Sequence, residues 1–394
     1  MSEDPAPYER GPARLVYLDN AATTPLDPEV RSAMLEALDA EPGNASATHA
    51  PGKRARERIE ASRAEVAALI GAPTDSIVFT SGATESDNLA VTGAARGNRA
   101  RGRHLVSVRT EHRAVLDPLA ALEREGFKVT LLVPGADGLL DPEAFAAALL
   151  PGTTLASVRL VNNETGVVQD VAALAAACRA RGVLLHVDAA QAAGRVPIDV
   201  RELDADLVSL SAHKIHGPTG IGALYVRPEP RPTLEALQHG GGQERGLRSG
   251  SLAVHQVVGM GSAFELARRL LPTEPARLRG LSSRLVAGLG GLGGVHLNGH
   301  ATRRAPHIVN VSFDGVDGEA LLLELEALAV ASGAACSAES GEPSYVLRAL
   351  GRPDPLAQAS LRFSVGRQSR DEDVDVALRE TLAGVRRLRA LAPA

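Results

Sequence analysis

Leu207-Val-Ser-Leu-Ser-Ala-His213-Lys214-Ile-His-Gly217-Pro-Thr-Gly220 is an apolar run that turns abruptly into serine, histidine, lysine and glycine. A short apolar run bounded by turn residues reads as a strand buried on both faces. The loop after it holds reactive side chains. The same arrangement recurs upstream. Leu184-Leu-His186-Val-Asp188-Ala-Ala-Gln191 ends in Asp188 and Gln191, and Leu155–Val161 runs into Asn162, Asn163 and Glu164. His104–Val108 runs into Arg109-Thr-Glu-His112, and Ile77–Thr80 into Ser81-Gly82-Ala83-Thr84. Further strands are expected at Val129–Val133 and Ala223–Val226, with helices at Arg54–Ile70, Arg113–Glu125, Pro142–Leu150 and Val171–Arg181. Strands alternating with helices specify an α/β fold, a mostly parallel sheet covered on both faces. Ligands of such sheets collect beyond the carboxyl ends of the strands. All five polar clusters fall there.

Composition narrows the setting. The 394 residues are 44% hydrophobic and carry 42 basic against 47 acidic side chains, a net charge of −5. Nucleic-acid binding needs concentrated positive charge and is not expected. No apolar run approaches the roughly 18 residues of a membrane span, so no membrane role is expected. The opening Met1-Ser-Glu-Asp-Pro lacks the basic-then-apolar form of a secretory signal. Two cysteines, Cys178 and Cys336, make no disulfide framework, and the expected compartment is the reducing cytoplasm.

At about 150 residues per domain two domains are expected. A long helix from about Ala253 to Leu271 is followed by Pro272–Pro275, where the pattern changes. The division expected is a large domain over 15–271 and a smaller α+β domain over 272–394, joined by the N-terminal segment 1–14. Strands Val295–Leu297 and Ile308–Phe313 and a helix Gly318–Leu328 are expected in the smaller domain.

Only three basic residues are lysine: Lys53, Lys128 and Lys214. Lys53 sits in a charged helix and Lys128 opens a strand, both ordinary surface settings. Lys214, at a strand's carboxyl end among polar groups, can form a Schiff base with a carbonyl cofactor, although it could also cap a loop. Alternation puts His186 and Asp188 on one face of their strand, as a metal site would, but no third ligand follows at a recognisable spacing, and no metal is expected. An aspartate held at a strand end suits pairing with a protonated ring nitrogen, the electron-sink device of pyridoxal phosphate enzymes. Gly82, Ala83 and Thr84 open a helix, and equally suit a bound phosphate or plain helix capping. Gly288-Leu-Gly-Gly-Leu-Gly293 matches a dinucleotide fingerprint but follows a helix and precedes a strand, the reverse of the order needed.

These motifs together resemble the cysteine desulfurases of the class V aminotransferase family, with the fold type I architecture of pyridoxal phosphate enzymes. The resemblance runs from Tyr17-Leu-Asp-Asn-Ala-Ala-Thr-Thr24 to Ser360-Leu-Arg-Phe-Ser-Val-Gly-Arg367. It includes Thr80-Ser-Gly-Ala-Thr-Glu-Ser86, Val161-Asn-Asn-Glu-Thr-Gly166, His186-Val-Asp-Ala-Ala-Gln191 and His213-Lys214. Ser332-Gly-Ala-Ala-Cys336-Ser-Ala followed by Glu342-Pro-Ser-Tyr-Val-Leu-Arg-Ala-Leu-Gly351 is similar to the NifS and IscS subgroup.

The resemblance implies the following roles. Lys214 binds pyridoxal 5'-phosphate covalently and moves protons, Asp188 pairs with the ring nitrogen, and Gln191 and Asn163 meet the ring hydroxyl region. His112 stacks on the ring. Ala83, Thr84, Ser211 and His213 bind the phosphate together with Ser251 of a partner subunit, which implies a homodimer. Asn163 and Arg362 hold the substrate carboxylate, and Cys336 is the nucleophile that takes sulfur from L-cysteine. The product is L-alanine, and the sulfur passes to an acceptor protein, an iron–sulfur scaffold or a thiolation protein. Selenocysteine lyase or aminotransferase activity on the same fold is the alternative, and an inactive scaffold the remote one. The family usually has threonine where Ser251 stands; the hydroxyl is retained. Proline is common where Ala45 stands, and lysine is frequent where Thr219 stands. Cys178, among alanines on a helix, is expected to be an inert buried residue. Cys336, in a small polar loop with glycines, is expected to be accessible.

Overall fold

The computed structural model describes residues 15–332 and 342–391. In chain order the strands are β1 (Val16–Tyr17), β2 (Ile77–Thr80), β3 (His104–Val108), β4 (Lys128–Leu132), β5 (Thr153–Arg159), β6 (Leu184–Asp188) and β7 (Leu207–Ser211). They continue with β8 (Gly222–Val226), β9 (Val295–Leu297), β10 (Ile308–Phe313), β11 (Leu328–Ala329), β12 (Ala331–Ser332) and β13 (Ser360–Ser364). Seven of them form one sheet in the order β2-β8-β7-β6-β5-β3-β4. β4, β3, β5, β6 and β7 pair in parallel, while β8 runs antiparallel to both β7 and β2. Every strand except β8 therefore ends on the same edge.

Alternation along the strands builds two cores. Phe79, Val106, Val158, Val187, Leu210 and Tyr225 point to one face, under the helices Ala50–Leu69 and Val254–Leu270, which also pack on each other. Val78, Leu105, Leu155, Leu207 and Leu224 point to the other, where they meet Val115, Leu119 and Leu122 of the helix Arg113–Arg124. Both faces are dry, which is why the strands read as unbroken apolar runs rather than as an in–out alternation. Each fully buried Leu, Val or Phe contributes roughly 1.5–3 kcal/mol, so a charge at Val187 would unfold the centre of the sheet. Among the described residues no helix is long and apolar enough to cross a membrane.

A second sheet, β12-β13-β10-β9, is antiparallel throughout. Val309, Val311, Phe313, Leu361 and Phe363 pack there against the helices Glu274–Gly290 and Asp371–Leu391. The expected helix over Gly318–Leu328 stops at Glu324, because Leu328 is taken up by β11, which pairs in parallel with β1. Propensity yields there to a tertiary pairing. The segment after β1 continues into the main sheet's loop edge. Asn20 Nδ2 donates to the Ser364 carbonyl at 2.8 Å and the Ala21 amide to Ser364 Oγ at 2.8 Å. Gly366 is required for this approach, since a Cβ there would lie 2.1 Å from Asn20 Oδ1.

Candidate active site

The loops after β2, β3, β5, β6 and β7 converge on a pocket of about 420 Å³. Of the residues expected from sequence, Ala83, Thr84, His112, Asn163, Asp188, Gln191, Ser211, His213 and Lys214 all line it. Lys214, just past the end of β7, donates from Nζ to the carbonyls of Ala21 (2.7 Å) and Ala22 (2.6 Å). Gln191 Nε2 donates to the same Ala21 carbonyl at 2.7 Å, so the segment after β1 fixes both side chains.

Asp188 ends β6 and is 4% exposed. Its Oδ1 accepts the Ala190 amide at 2.9 Å, and Oδ2 lies 3.9 Å from Arg159 Nε. His186, two residues earlier on the same face, is not available as a metal ligand: its ring nitrogens meet Ser157 Oγ at 2.8 Å and Ser209 Oγ at 2.9 Å. Burial pushes it down to about 4, so it is a neutral spacer between two strands at ordinary pH. Its Nε2 also lies 3.5 Å from Asp87 Oδ1, whose carboxyl burial and the nearby Asp188 hold well above the usual range.

His112 is the N-cap of its helix. Nδ1 accepts the Ala114 amide at 3.1 Å, which leaves Nε2 as the position for a proton in the neutral ring. Burial first, then the Arg159 guanidinium, lowers its basicity. His213 Nδ1 lies 3.1 Å from Thr23 Oγ1, and burial and then Lys214 bring it down to about 4. On the far side the helix Ala83–Asn88 begins after Gly82 with no side-chain cap, so its first amides are left for other partners. A Cβ at Gly82 would meet nothing within 4 Å. Ser211 Oγ is buried with no hydrogen-bond partner. A buried hydroxyl, uncapped helix amides and an open space together form a receptor for an anion.

Two expected residues lie outside this pocket. Arg362, on β13, donates to the Asn163 carbonyl at 3.0 Å and to Asp19 Oδ1 at 2.7 Å, and its Nε is buried without a partner. It thus stands behind Asn163. Ser251 lines a separate cleft with Asn44, Arg56, Arg63 and Gln243. Cys336 lies outside the described residues. Cys178 is buried, and burial pushes its thiol up to about 12, in keeping with an inert residue.

Sequence reasoning missed Arg159, Asp87 and Glu111. Arg159 lines the pocket, donates from Nη1 to Asn163 Oδ1, and gives Nη2 to the Thr110 carbonyl at 2.8 Å. The available signal was an arginine inside the run Leu155–Val161, which holds no other charged residue.

The aminotransferase class-V family profile matches residues 16–377. A cysteine desulfurase IscS of Methylococcus capsulatus is 55% identical over 379 residues, 96% of this chain and 94% of the relative. One of Azotobacter vinelandii is 54% identical over 382 residues, with the same coverage of each chain. Among solved structures, a NifS-like protein superposes with a TM-score of 0.87 at 34% identity, covering 94% of this chain and 98% of its own. The apo cysteine desulfurase of Thermococcus onnurineus gives 0.84 at 28% identity, with 94% and 95% covered.

Proposed function

The chain belongs to the aminotransferase class-V family, and from that membership we propose that it is a cysteine desulfurase of the IscS and NifS type. It converts L-cysteine to L-alanine, and the sulfur becomes a persulfide on Cys336 before passing to an acceptor protein. The observation that carries this reading is the convergence of Lys214, Asp188, His112 and Gln191 on one pocket, in a chain whose relatives of that name match 96% of its length.

The pocket residues fit pyridoxal phosphate. The unpartnered Ser211 hydroxyl, with Thr84, His213 and the free amides at Ala83, suits the phosphate. Asp188 suits the ring nitrogen, and Lys214 is the pocket's amine. When bound, the cofactor supplies an electron-withdrawing ring that makes the substrate's Cα proton acidic. The protein's residues do the rest. Lys214, held by two carbonyls, anchors the cofactor and then carries a proton at Nζ. His112, kept neutral by its surroundings, holds or releases a proton at Nε2. Asn163 orients the substrate carboxylate, and Arg362, which holds the Asn163 carbonyl and Asp19, would meet it by exchanging Asp19 for the substrate, where a guanidinium offers two parallel donors.

Cys336 acts as thiolate on the substrate sulfur. Its S–S bond forms as the substrate's C–S bond breaks, and a proton returned to the carbon skeleton completes L-alanine. Ser251 belongs in this reading to the phosphate site of a partner subunit, which makes the working unit a homodimer. Residues 15–271 form the cofactor-binding body, and 272–394 the body that brings Cys336 to it.

The experiment is stoichiometric. Protein loaded with pyridoxal phosphate is given L-cysteine without reductant, and alanine and protein persulfide are counted. One alanine per persulfide, with both lost in Cys336→Ala, supports the proposal. Sulfur transfer by Cys336→Ala at the parent level would overturn it. Glutamate formed from added 2-oxoglutarate in proportion to the amino acid consumed, with no protein persulfide, would move the assignment to an aminotransferase.

A further inference from the structure

Arg159 stands between two carboxylates. Its Nε lies 3.8 Å from Glu111 Oε2 and 3.9 Å from Asp188 Oδ2, and all three side chains are nearly fully buried. Nε and Glu111 Oε2 are both buried without a hydrogen-bond partner. The rest of the guanidinium is held by the Thr110 carbonyl and Asn163 Oδ1, and Glu111 Oε1 by the Arg159 amide at 3.0 Å. One guanidinium therefore has two candidate counter-ions at equal range. Other titratable groups also face this cluster: Asp87 and Glu164 interact with Arg159 at longer range, and His112 feels both Arg159 and Asp188. Asp87, from the helix after β2, lies beside His186, and Glu164, from the turn after β5, accepts the Ser344 hydroxyl. Tyr345 donates to the Glu111 carbonyl at 2.7 Å, Arg362 is paired with Asp19, and Lys214 is held by Ala21 and Ala22.

Resting on the reading that Asp188 receives a protonated ring nitrogen, we propose that Glu111 is a positioning residue: by taking Arg159 as its partner it frees the Asp188 carboxylate for the cofactor. A carboxylate shared with a buried guanidinium holds a second cation less strongly. Without the Glu111 charge, Arg159 has only Asp188 to turn to, and the cofactor's ring nitrogen competes with it. Burial, with Asp188 nearby, raises Glu111 to about 7 even against the opposing pull of Arg159, so the partnership is open to change near neutral pH.

The test is a pair of variants read by cofactor binding rather than turnover. At pH 8 the dissociation constant for pyridoxal phosphate is measured from visible absorbance and fluorescence, with the far-UV spectrum of the apoprotein as a check on folding. Glu111→Gln is expected to weaken binding by about tenfold, the equivalent of one unit in proton affinity. In the double variant Glu111→Gln/Arg159→Met, the competing cation is gone, and binding should return to within about threefold of the parent by the same arithmetic. Removing both partners of a buried ion pair can restore stability as well as binding, so the reading that separates a positioning role from a structural one is the pH dependence that follows.

A second measurement needs no Glu111 substitution. Binding by the parent should weaken between pH 8 and pH 6 as Glu111 takes up a proton, and Arg159→Met should flatten that dependence. A double variant as weak as Glu111→Gln, or a pH dependence unaltered by Arg159→Met, overturns the inference. Failure of the parent to bind pyridoxal phosphate through Lys214, seen as no visible band and no label after borohydride, would instead overturn the reading beneath it.

Discussion

Glu244→Gln removes a buried charge outside the pocket, at a large stability cost. Glu244 Oε2 accepts from Arg63 Nη1 at 2.7 Å and from the Phe79 amide at 2.7 Å, while Oε1 accepts from Arg63 Nη2 at 2.9 Å. Both side chains are 4% exposed. Arg63 also donates to the Ile77 carbonyl at 3.0 Å, and its guanidinium lies 4.6 Å from the Phe79 ring centroid. A glutamine keeps one accepting oxygen and turns its NH₂ toward a donor that has nowhere to go. The guanidinium is left with Glu60, which is half exposed and a weak partner. Breaking a buried pair from one side costs about 3–5 kcal/mol, a large share of the roughly 5–15 kcal/mol that holds a folded domain.

The damage should be local as well as global. Glu244 and Arg245 are held at φ 49° and 57°, a conformation non-glycine residues avoid at a cost on the order of 1–2 kcal/mol each. Releasing the clamp should let residues 240–250 relax, and with them the approach to Ser251. Urea unfolding of the apoprotein measures the first effect, and hydrogen exchange across 240–250 the second. Arg63→Met/Glu244→Met, which removes both charges, should recover most of the loss. A Glu244→Gln protein within about 1 kcal/mol of the parent, with unchanged exchange in that loop, would refute the reasoning, since even one orphaned buried donor should cost more.

Two further outcomes follow from the packing. His216 is fully buried, and burial, then Arg195 and Arg367, bring it down to about 3. The unfolded chain takes a proton near pH 6.5 that the folded one refuses, so this residue's contribution is lost as the pH falls. His216→Asn, chosen because φ is 67° there, should lower stability at pH 8 yet lose about 2 kcal/mol less than the parent between pH 6.5 and 5, read from urea curves. Equal slopes in the two proteins would contradict the assignment. Gly222→Ala should destabilise by about 1–3 kcal/mol and weaken pyridoxal phosphate binding, because its Cβ would lie 2.6 Å from the Gly82 carbonyl carbon and 2.7 Å from the Leu210 oxygen, backbone that cannot step aside. Gly280→Ala, in a helix and open on all sides, should be neutral or stabilising in the same melting assay.

The sequence was most legible where burial is symmetrical. β2, β3, β6, β7 and β10 begin and end where the apolar runs do, because each is buried along nearly all of its length, and the half-buried edge strand β9 matches its run as well. Most of the pocket residues were legible for a related reason: Asp188 and Ser211 end such runs, and Ala83, Thr84, His112, Asn163, Gln191, His213 and Lys214 stand two to four residues beyond one. Lost were the features decided by partners distant in the chain. Nothing in Val16-Tyr17 or Leu328-Ala329 announces that they pair, and the helix drawn through Leu328 was wrong on that account. The reversal of β8 was hidden too, since an apolar strand carries no sign of its direction. Arg159 was overlooked because its strand was read as a hydrophobic element, and its meaning lies in Glu111 and Asp188.

The bond from Asn20 to Ser364 spans 344 positions in sequence. On a ribosome working at roughly 5–20 residues per second, the segment that steadies Lys214 and Gln191 waits on the order of tens of seconds for its own anchor to be synthesised. The main sheet has every strand it needs by Val226. The pocket's floor is thus made early and its brace late. During that interval the nascent chain carries Lys214 with its two carbonyl holders, Ala21 and Ala22, not yet fixed.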